Sequence, residues 1–134
     1  MSAPIEVSFE VSGPPVPKGR PRFGKCGGVY TPDATRRYAI GVQVAALAAC
    51  IQQRWPRGQR GDFAVEIDLY MADARLADVD NCAKAILDGA NKTVWADDRY
   101  VSSLTVRRHI DRERPRAEVR VRRLDIQLEI GGAR

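Results

Sequence analysis

Apolar and polar side chains alternate from the start of the chain. Ile5, Val7, Phe9 and Val11 fall on one side, and Glu6, Ser8, Glu10 and Ser12 on the other. A period of two is that of a half-buried strand. Gly13-Pro14-Pro15 ends it, and the following stretch to Lys25 carries too much proline and glycine for regular structure. Thr31-Pro32-Asp33 then reads as a helix start. Thr31 suits the N-cap, Pro32 the first helical position and Asp33 the positive end of the dipole. That helix is expected to run to about Arg54, with Tyr38, Val42, Ala45, Ala49 and Trp55 as its buried stripe.

After a turn-rich linker from Pro56 to Asp62, Phe63, Val65, Ile67, Leu69 and Met71 alternate as the clearest strand in the chain. From Val79 the rhythm changes to positions 79, 83, 86, 87 and 90, a helical period. The opposite side of that helix carries Asp80, Lys84 and Asp88 at i, i+4 and i+8, stacked in one row. Gly89 should weaken it. Two strands follow, Tyr100–Ile110 and Ala117–Ile130, separated by a charged turn. Val119 and Val121 alternate in one phase and Leu124 to Ile130 in the other, so a bulge or bend is expected near Arg123. The order β-α-β-α-β-β predicts an α+β fold. It is a two-layer sandwich of two main helices on a mixed four-stranded sheet, in a single domain over residues 1–134.

Composition adds a globular, basic chain of net charge +5. Of its 22 basic residues, 18 are arginine, the side chain that forks onto phosphate oxygens, although a GC-rich genome produces the same bias. An acidic partner such as nucleic acid is the simplest implication. Three cysteines, Cys26, Cys50 and Cys82, with no Cys-x-x-Cys spacing support neither a disulfide framework nor a zinc ribbon. A single histidine, His109, removes the His-based metal motifs. The N-terminus lacks the pattern of a signal peptide, and no apolar run is long enough to span a membrane. A cytoplasmic setting is expected, with no membrane partner.

Gly19 to Cys26 nearly matches G-x-x-x-x-G-K-[ST], but cysteine replaces the hydroxyl and Gly27-Gly28 stands where a helix must open. No nucleotide cofactor is therefore expected. Lys18, Arg20, Arg22 and Lys25, with Phe23 among them, read instead as a basic arm for a nucleic-acid backbone, or as a solvated loop. Residues 107–123 carry eight arginines against three acids. There Arg120 and Arg122 share one side as a second backbone contact, or as charges that protect a hairpin from aggregation.

Against this background the segment 62–98 is acidic, with nine acids against three bases. Asp78 and Asp80 flank Val79 at a loop-to-helix junction, and Asp97-Asp98 precede a strand. If that strand lies beside the one ending at Met71, both carboxylate groups meet at one sheet edge. A polyanion partner and dense carboxylates conflict unless a hard divalent cation lies between them. Lys84, one turn from Asp80, is placed to neutralise charge on a phosphate. The plainer alternative is a helix cap at Asp78, an Asp80–Lys84 surface pair and turn residues at 97–98.

The residues Asp78-x-Asp80-Asn81-x-x-Lys84-x-x-x-Asp88, followed by Val94-Trp95-x-Asp97-Asp98-x-x-Val101, resemble the signature of RusA-type Holliday junction resolvases. The upstream Pro15-x-Pro17-Lys18-Gly19-Arg20-Pro21-Arg22-Phe23 and Tyr30-Thr31-Pro32-x-x-Thr35-x-x-Tyr38 are similar to the phage-type branch. The resemblance implies a homodimeric, Mg²⁺- or Mn²⁺-dependent endonuclease that cuts four-way DNA junctions by paired symmetric nicks in recombination and repair. It implies catalytic and metal-binding roles for Asp78, Asp80 and Asp98, with Lys84 as catalytic lysine and Asp97 as a supporting ligand. Arg75-Leu76-Ala77 stands where some relatives have an arginine run, and Gly89 to Thr93 departs from the usual helix end. The alternative from another class is a non-catalytic nucleic-acid-binding module using the arm Lys18–Lys25.

Overall fold

In the computed structural model, the described residues are 4–18, 22–23, 29–30, 33–74 and 78–124, with backbone alone at 22–23 and 29–30. Strand β1 (Glu6–Ser12) is followed by a short antiparallel pair, β2 (Arg22–Phe23) and β3 (Val29–Tyr30), and by helix α1 (Asp33–Gln52). Next come β4 (Asp62–Met71), α2 (Val79–Ala90), a 3-10 turn (Asp98–Tyr100), β5 (Val101–Ile110) and β6 (Arg116–Leu124). Two main helices and a mixed four-stranded sheet give the α+β order expected from the alternation. The pairing of β2 with β3 corrects the expectation that no regular structure forms before Lys25. Thr31, Pro32 and the chain beyond Leu124 lie outside the described residues, so the helix start at Thr31 and the strand's second half do too.

The sheet order is β1-β6-β4-β5. β6 runs antiparallel to both β1 and β4, whereas β5 runs parallel to β4. A parallel neighbour cannot be reached by a tight turn, so the chain crosses back through α2. One sheet face is apolar: Val7, Phe9, Val11, Phe63, Val65, Ile67, Leu69, Ala117, Val119 and Val121 are buried. Both helices cover it. The other face carries Glu66, Asp68, Glu118 and Arg120 and is open. There Tyr70 stacks on His109 at 4.6 Å and Arg116 lies 3.8 Å over the Tyr70 ring.

At one end of the sheet Phe63 packs between Trp55 and Trp95, with ring centroids 6.0 and 6.2 Å away. Up to Leu124, β6 keeps unbroken register with β4, and Arg123 fills an inward-phase position while donating to Gln59 Oε1 at 2.5 Å. The opposite phase that predicts a bulge or bend near Arg123 continues beyond the described residues. A register shift falls between Phe63 and Ala64, where β4 meets β5.

Gly89 has a packing reason. A Cβ there would stand 2.6 Å from Val42 Cβ and 2.9 Å from the Ala39 carbonyl oxygen, so α2 and α1 approach closely at this point. Alanine is the better helix former by about 1 kcal/mol, yet rigid backbone and a β-branched side chain oppose it. Gly89→Ala is therefore expected to lower unfolding stability by about 1–3 kcal/mol, as overpacked sites do. Urea denaturation reads this directly, and an unchanged or raised midpoint would contradict the close contact.

Candidate active site

α2 begins where Asp78 offers its carboxylate to the free N–H groups of the first turn. Oδ1 accepts from the Asp80 and Asn81 N–H groups at 3.0 and 3.3 Å, and Oδ2 accepts from Asn81 Nδ2 at 3.2 Å. The extended conformation of Asp78 is that of an N-cap. Cys82, Ala83, Ala85, Ile86, Gly89 and Ala90 are buried beneath the helix. Asp80, Asn81 and Lys84 are exposed and Asp88 half-buried, so the row anticipated from the period lies on the open side.

The carboxylates of the second group reach the site through a fixed loop. Trp95 is fully buried, and its indole N–H donates to Asn91 Oδ1 at 2.8 Å. The backbone N–H of Lys92, a residue with φ of 68°, donates to the Trp95 carbonyl at 2.7 Å. Ala96 is tied to the Gln59 carbonyl at 2.8 Å. Asp97 then caps the 3-10 turn by accepting from the Arg99 N–H at 3.1 Å. That bond, first among several causes, holds the Asp97 carboxyl below the usual carboxylate range.

Asp98 moves the other way. Partial burial raises its carboxyl, a hydrogen bond shared with Asp97 raises it further, Lys84 opposes the rise, and Asp97 and Asp88 add to it. Asp98 is thus in the field of the α2 row. Lys18 joins the same cluster, with its Nζ 2.7 Å from Asp88 Oδ2.

The structure does not bring all the expected ligands together. β5 does lie beside β4, but the parallel register sets Val101 opposite Phe63 and Ile110 opposite Met71. Asp97-Asp98 therefore enter at the Phe63 end, while Asp78 caps α2 at the end the chain reaches after leaving Met71. A helix of this length separates its ends by about 18 Å. Among the described residues no three His, Cys, Asp or Glu side chains are gathered to hold an ion. The donor chemistry still fits a hard cation: Asp97 and Asp98 are adjoining carboxylates that share a hydrogen bond, oxygen donors of the class that Mg²⁺ completes with waters and phosphate oxygens.

The remaining positions fall as follows. Arg20 and Lys25 lie outside the described residues, and Arg22 is described by its β2 backbone. Arg120 is on the sheet face away from the helices, where it pairs with Glu66 at 3.1 Å and Glu6 at 3.4 Å. Arg122 shares that face and is exposed. Neither adjoins α2. Sequence reasoning missed the Asn81 side chain as a partner of Asp78 and Asp88 as the partner of Lys18. The Asp78-x-x-Asn81 spacing was the available signal for the first, whereas the second joins residues 70 positions apart. Burial pushes the thiols of Cys50 and Cys82 up, which suits inert core cysteines.

Asp78 thus has a structural role separable from chemistry. Asp78→Ala is expected to cost about 1 kcal/mol of stability, the usual worth of an N-cap, and Asp78→Asn only a few tenths. Thermal or urea unfolding of the two variants checks the ranking; equal losses would show that the cap contributes nothing.

No curated protein matches the chain. A family model, endodeoxyribonuclease RusA, matches residues 12–122, which include α1, α2, the acidic row, Asp97-Asp98 and most of the sheet. Family membership favours an enzyme over a non-catalytic binding module, and nucleases of this family are typically metal-dependent. With the family fold elements and the acidic signature covered by one match, the chain belongs to the RusA endodeoxyribonuclease family, the crossover junction endodeoxyribonucleases that act on Holliday junctions.

Proposed function

We propose that the protein is a Mg²⁺-dependent (or Mn²⁺-dependent), structure-selective endonuclease. It resolves four-way DNA junctions by paired symmetric nicks in recombination and repair, working as a homodimer of one catalytic domain over 1–134. The observation that carries this reading is the open row Asp80–Lys84–Asp88 beside the raised carboxyl of Asp98, in a chain of this family.

Asp78, Asp80 and Asp98, with a supporting Asp97, are the candidate ligands, but Asp78 and Asp97-Asp98 lie at opposite ends of α2, so one cation would not be shared by all four in this arrangement. When bound, it supplies Lewis-acid polarisation of the phosphodiester and a water of lowered pKa. The side chains do the positioning. Asp78 fixes the first turn of α2 and so the direction of Asp80. Asp97, held ionised by the Arg99 N–H, keeps negative charge next to Asp98. Lys84 offsets that charge in the free protein and stands one turn from Asp80, where it can bind a phosphate oxygen and stabilise charge building on it. The arm residues Arg20, Arg22 and Lys25 supply sequence-independent phosphate contacts. Arg120 and Arg122 stand on the far sheet face, so a backbone contact by them would be separate from the one at α2.

The outer side of α1 supports the dimer. From Tyr38 to Gln53 the helix has no charged residue, and Ile40, Val44 and Ile51 are 58, 61 and 67% exposed. A helix apolar on both sides is normally covered on both. Positions 40, 44, 47 and 51 fall in one row, and a two-fold axis would set this same row of each copy against the other.

With Mg²⁺, the wild-type protein is expected to nick a synthetic four-way junction at symmetric positions, and Asp80→Asn to lose at least about 100-fold in rate. Cleavage without divalent metal, or an undiminished Asp80→Asn enzyme, would overturn the assignment. Asp78→Asn separates the two roles of that residue: normal stability with lost cleavage. For the dimer, Val44→Lys should halve the mass in analytical ultracentrifugation; an unchanged mass excludes α1 as the interface.

A further inference from the structure

Lys18 is docked on α2 twice. Its backbone N–H donates to the Asn81 carbonyl at 3.0 Å, and its ammonium lies 2.7 Å from Asp88 Oδ2. Asn81 and Asp88 are seven residues apart, two helical turns along one side, a rise of about 10 Å. The lysine therefore lies along the surface of α2, backbone near the first turn and head group near the last. The approach to Lys18 is equally constrained. Gly13 N–H is bonded to the Pro115 carbonyl at 3.1 Å, Pro15 is buried and Val16 packs against the core. Prolines at 14, 15 and 17 restrict the backbone between these anchors. Lys18 is thus held through both its backbone and its side chain, and in sequence it is the first cation of the basic arm.

We propose that Asp88 is a positioning residue that binds Lys18 as the anchor of the arm. In this arrangement Lys18 is not a phosphate ligand, and the phosphate grip starts at Arg20. The pair sets where the arm departs from the helix that carries Asp78, Asp80 and Lys84, and so registers the DNA backbone against the cleavage site. It also explains a carboxylate in the acidic row that lies toward the opposite end of α2 from Asp78. Asp88 meets an internal ammonium, and its charge is met before a cation or DNA arrives. The inference rests on the reading of α2 as a cleavage site and on the arm as a DNA contact.

Four proteins test it: wild type, Asp88→Asn, Lys18→Met and the reversed pair Lys18→Asp/Asp88→Lys. Junction affinity is measured by titration in an Asp80→Asn background over a range of salt, and single-turnover cleavage at saturating junction in the active background. Each single change should weaken junction binding about two- to fivefold, the scale of a partly exposed ion pair. The salt slope should stay as in wild type, because no phosphate contact is lost. The reversed pair should restore affinity. The Mg²⁺ concentration for half-maximal rate should stay near wild type, because neither residue is assigned to the metal, while the saturating cleavage rate reads how far the register of the DNA depends on the pair.

A shallower salt slope in Lys18→Met, with no recovery in the reversed pair, makes Lys18 a phosphate ligand and overturns the anchor. A raised Mg²⁺ requirement in Asp88→Asn makes Asp88 a metal ligand and overturns it too. A readout independent of cleavage is tryptic cutting at the Lys18–Gly19 bond. It should be faster in Asp88→Asn than in wild type, and an equal rate counts against the docked lysine. If wild type fails to cut junctions but Asp88→Asn still exposes Lys18 to trypsin, the nuclease reading fails and the anchor stands.

Discussion

The contact between Gly89 and Val42 governs what α2 can present. With no side chain at 89, the two helices close until a methyl group would not fit between them. That approach fixes the rotation of α2 about its own axis. Rotation in turn decides that Cys82, Ala85 and Ile86 face the core while Asp80 and Lys84 face water. A larger residue at 89 would be relieved by rolling or lifting the helix, and every polar group on its other side would move. The glycine that weakens the helix locally is the condition for the direction in which Asp80 and Lys84 face.

The acidic segment in a basic protein is resolved locally before any cation is considered. Asp78 is bonded to the first turn of α2, Asp88 to Lys18 and Asp97 to the Arg99 backbone. Asp98 is the exception: burial and its carboxylate neighbours raise it, and Lys84 compensates in part. Charge that the fold leaves under strain at one position is a better mark of a functional carboxylate than the local count of acids. The segment 62–98 also includes Glu66 and Asp68 on the far sheet face. There they meet Arg120, Arg107 and His109 and have nothing to do with α2.

The strands and helices were legible because their apolar positions repeat cleanly, as at Phe63 to Leu69 and along Val79 to Ala90. The side of α2 that would be open followed from the same period. What the sequence concealed was direction and long-range pairing. Alternation in Val101–Ile110 is the same whether the strand runs with or against β4, yet the parallel choice moves Asp97-Asp98 to the other end of the sheet from the Asp78 cap. A period count also cannot see Gln59, which accepts the Arg123 guanidinium and so gives a charged residue a place at an inward-phase position. Nor can a local reading find the Lys18–Asp88 pair, since its members meet only when the proline-rich approach is laid on α2.

The same distinction changes what the net charge of the chain means. β4 lies between β5 and β6, so the expected hairpin of these two strands does not form, and much of their arginine is already matched: Arg107 by Glu66 and Asp68, Arg114 by Glu10, Arg116 by Asp111 and Glu118, and Arg120 by Glu6 and Glu66. These pairs knit the open sheet face together, where no helix supplies apolar cover. Arginine suits that task because its planar fork can serve two carboxylates at its edges while its face lies over a ring, as the Arg116 guanidinium does on Tyr70. A polyanion drawn to this surface would have to compete with those carboxylates. The α2 side differs: its row contains one exposed lysine, Lys84, and Lys18 is docked on it through Asp88. The electrostatic case for DNA at the acidic row therefore depends on cations brought to it, by the arm and by a bound metal, and hardly at all on the overall charge of +5.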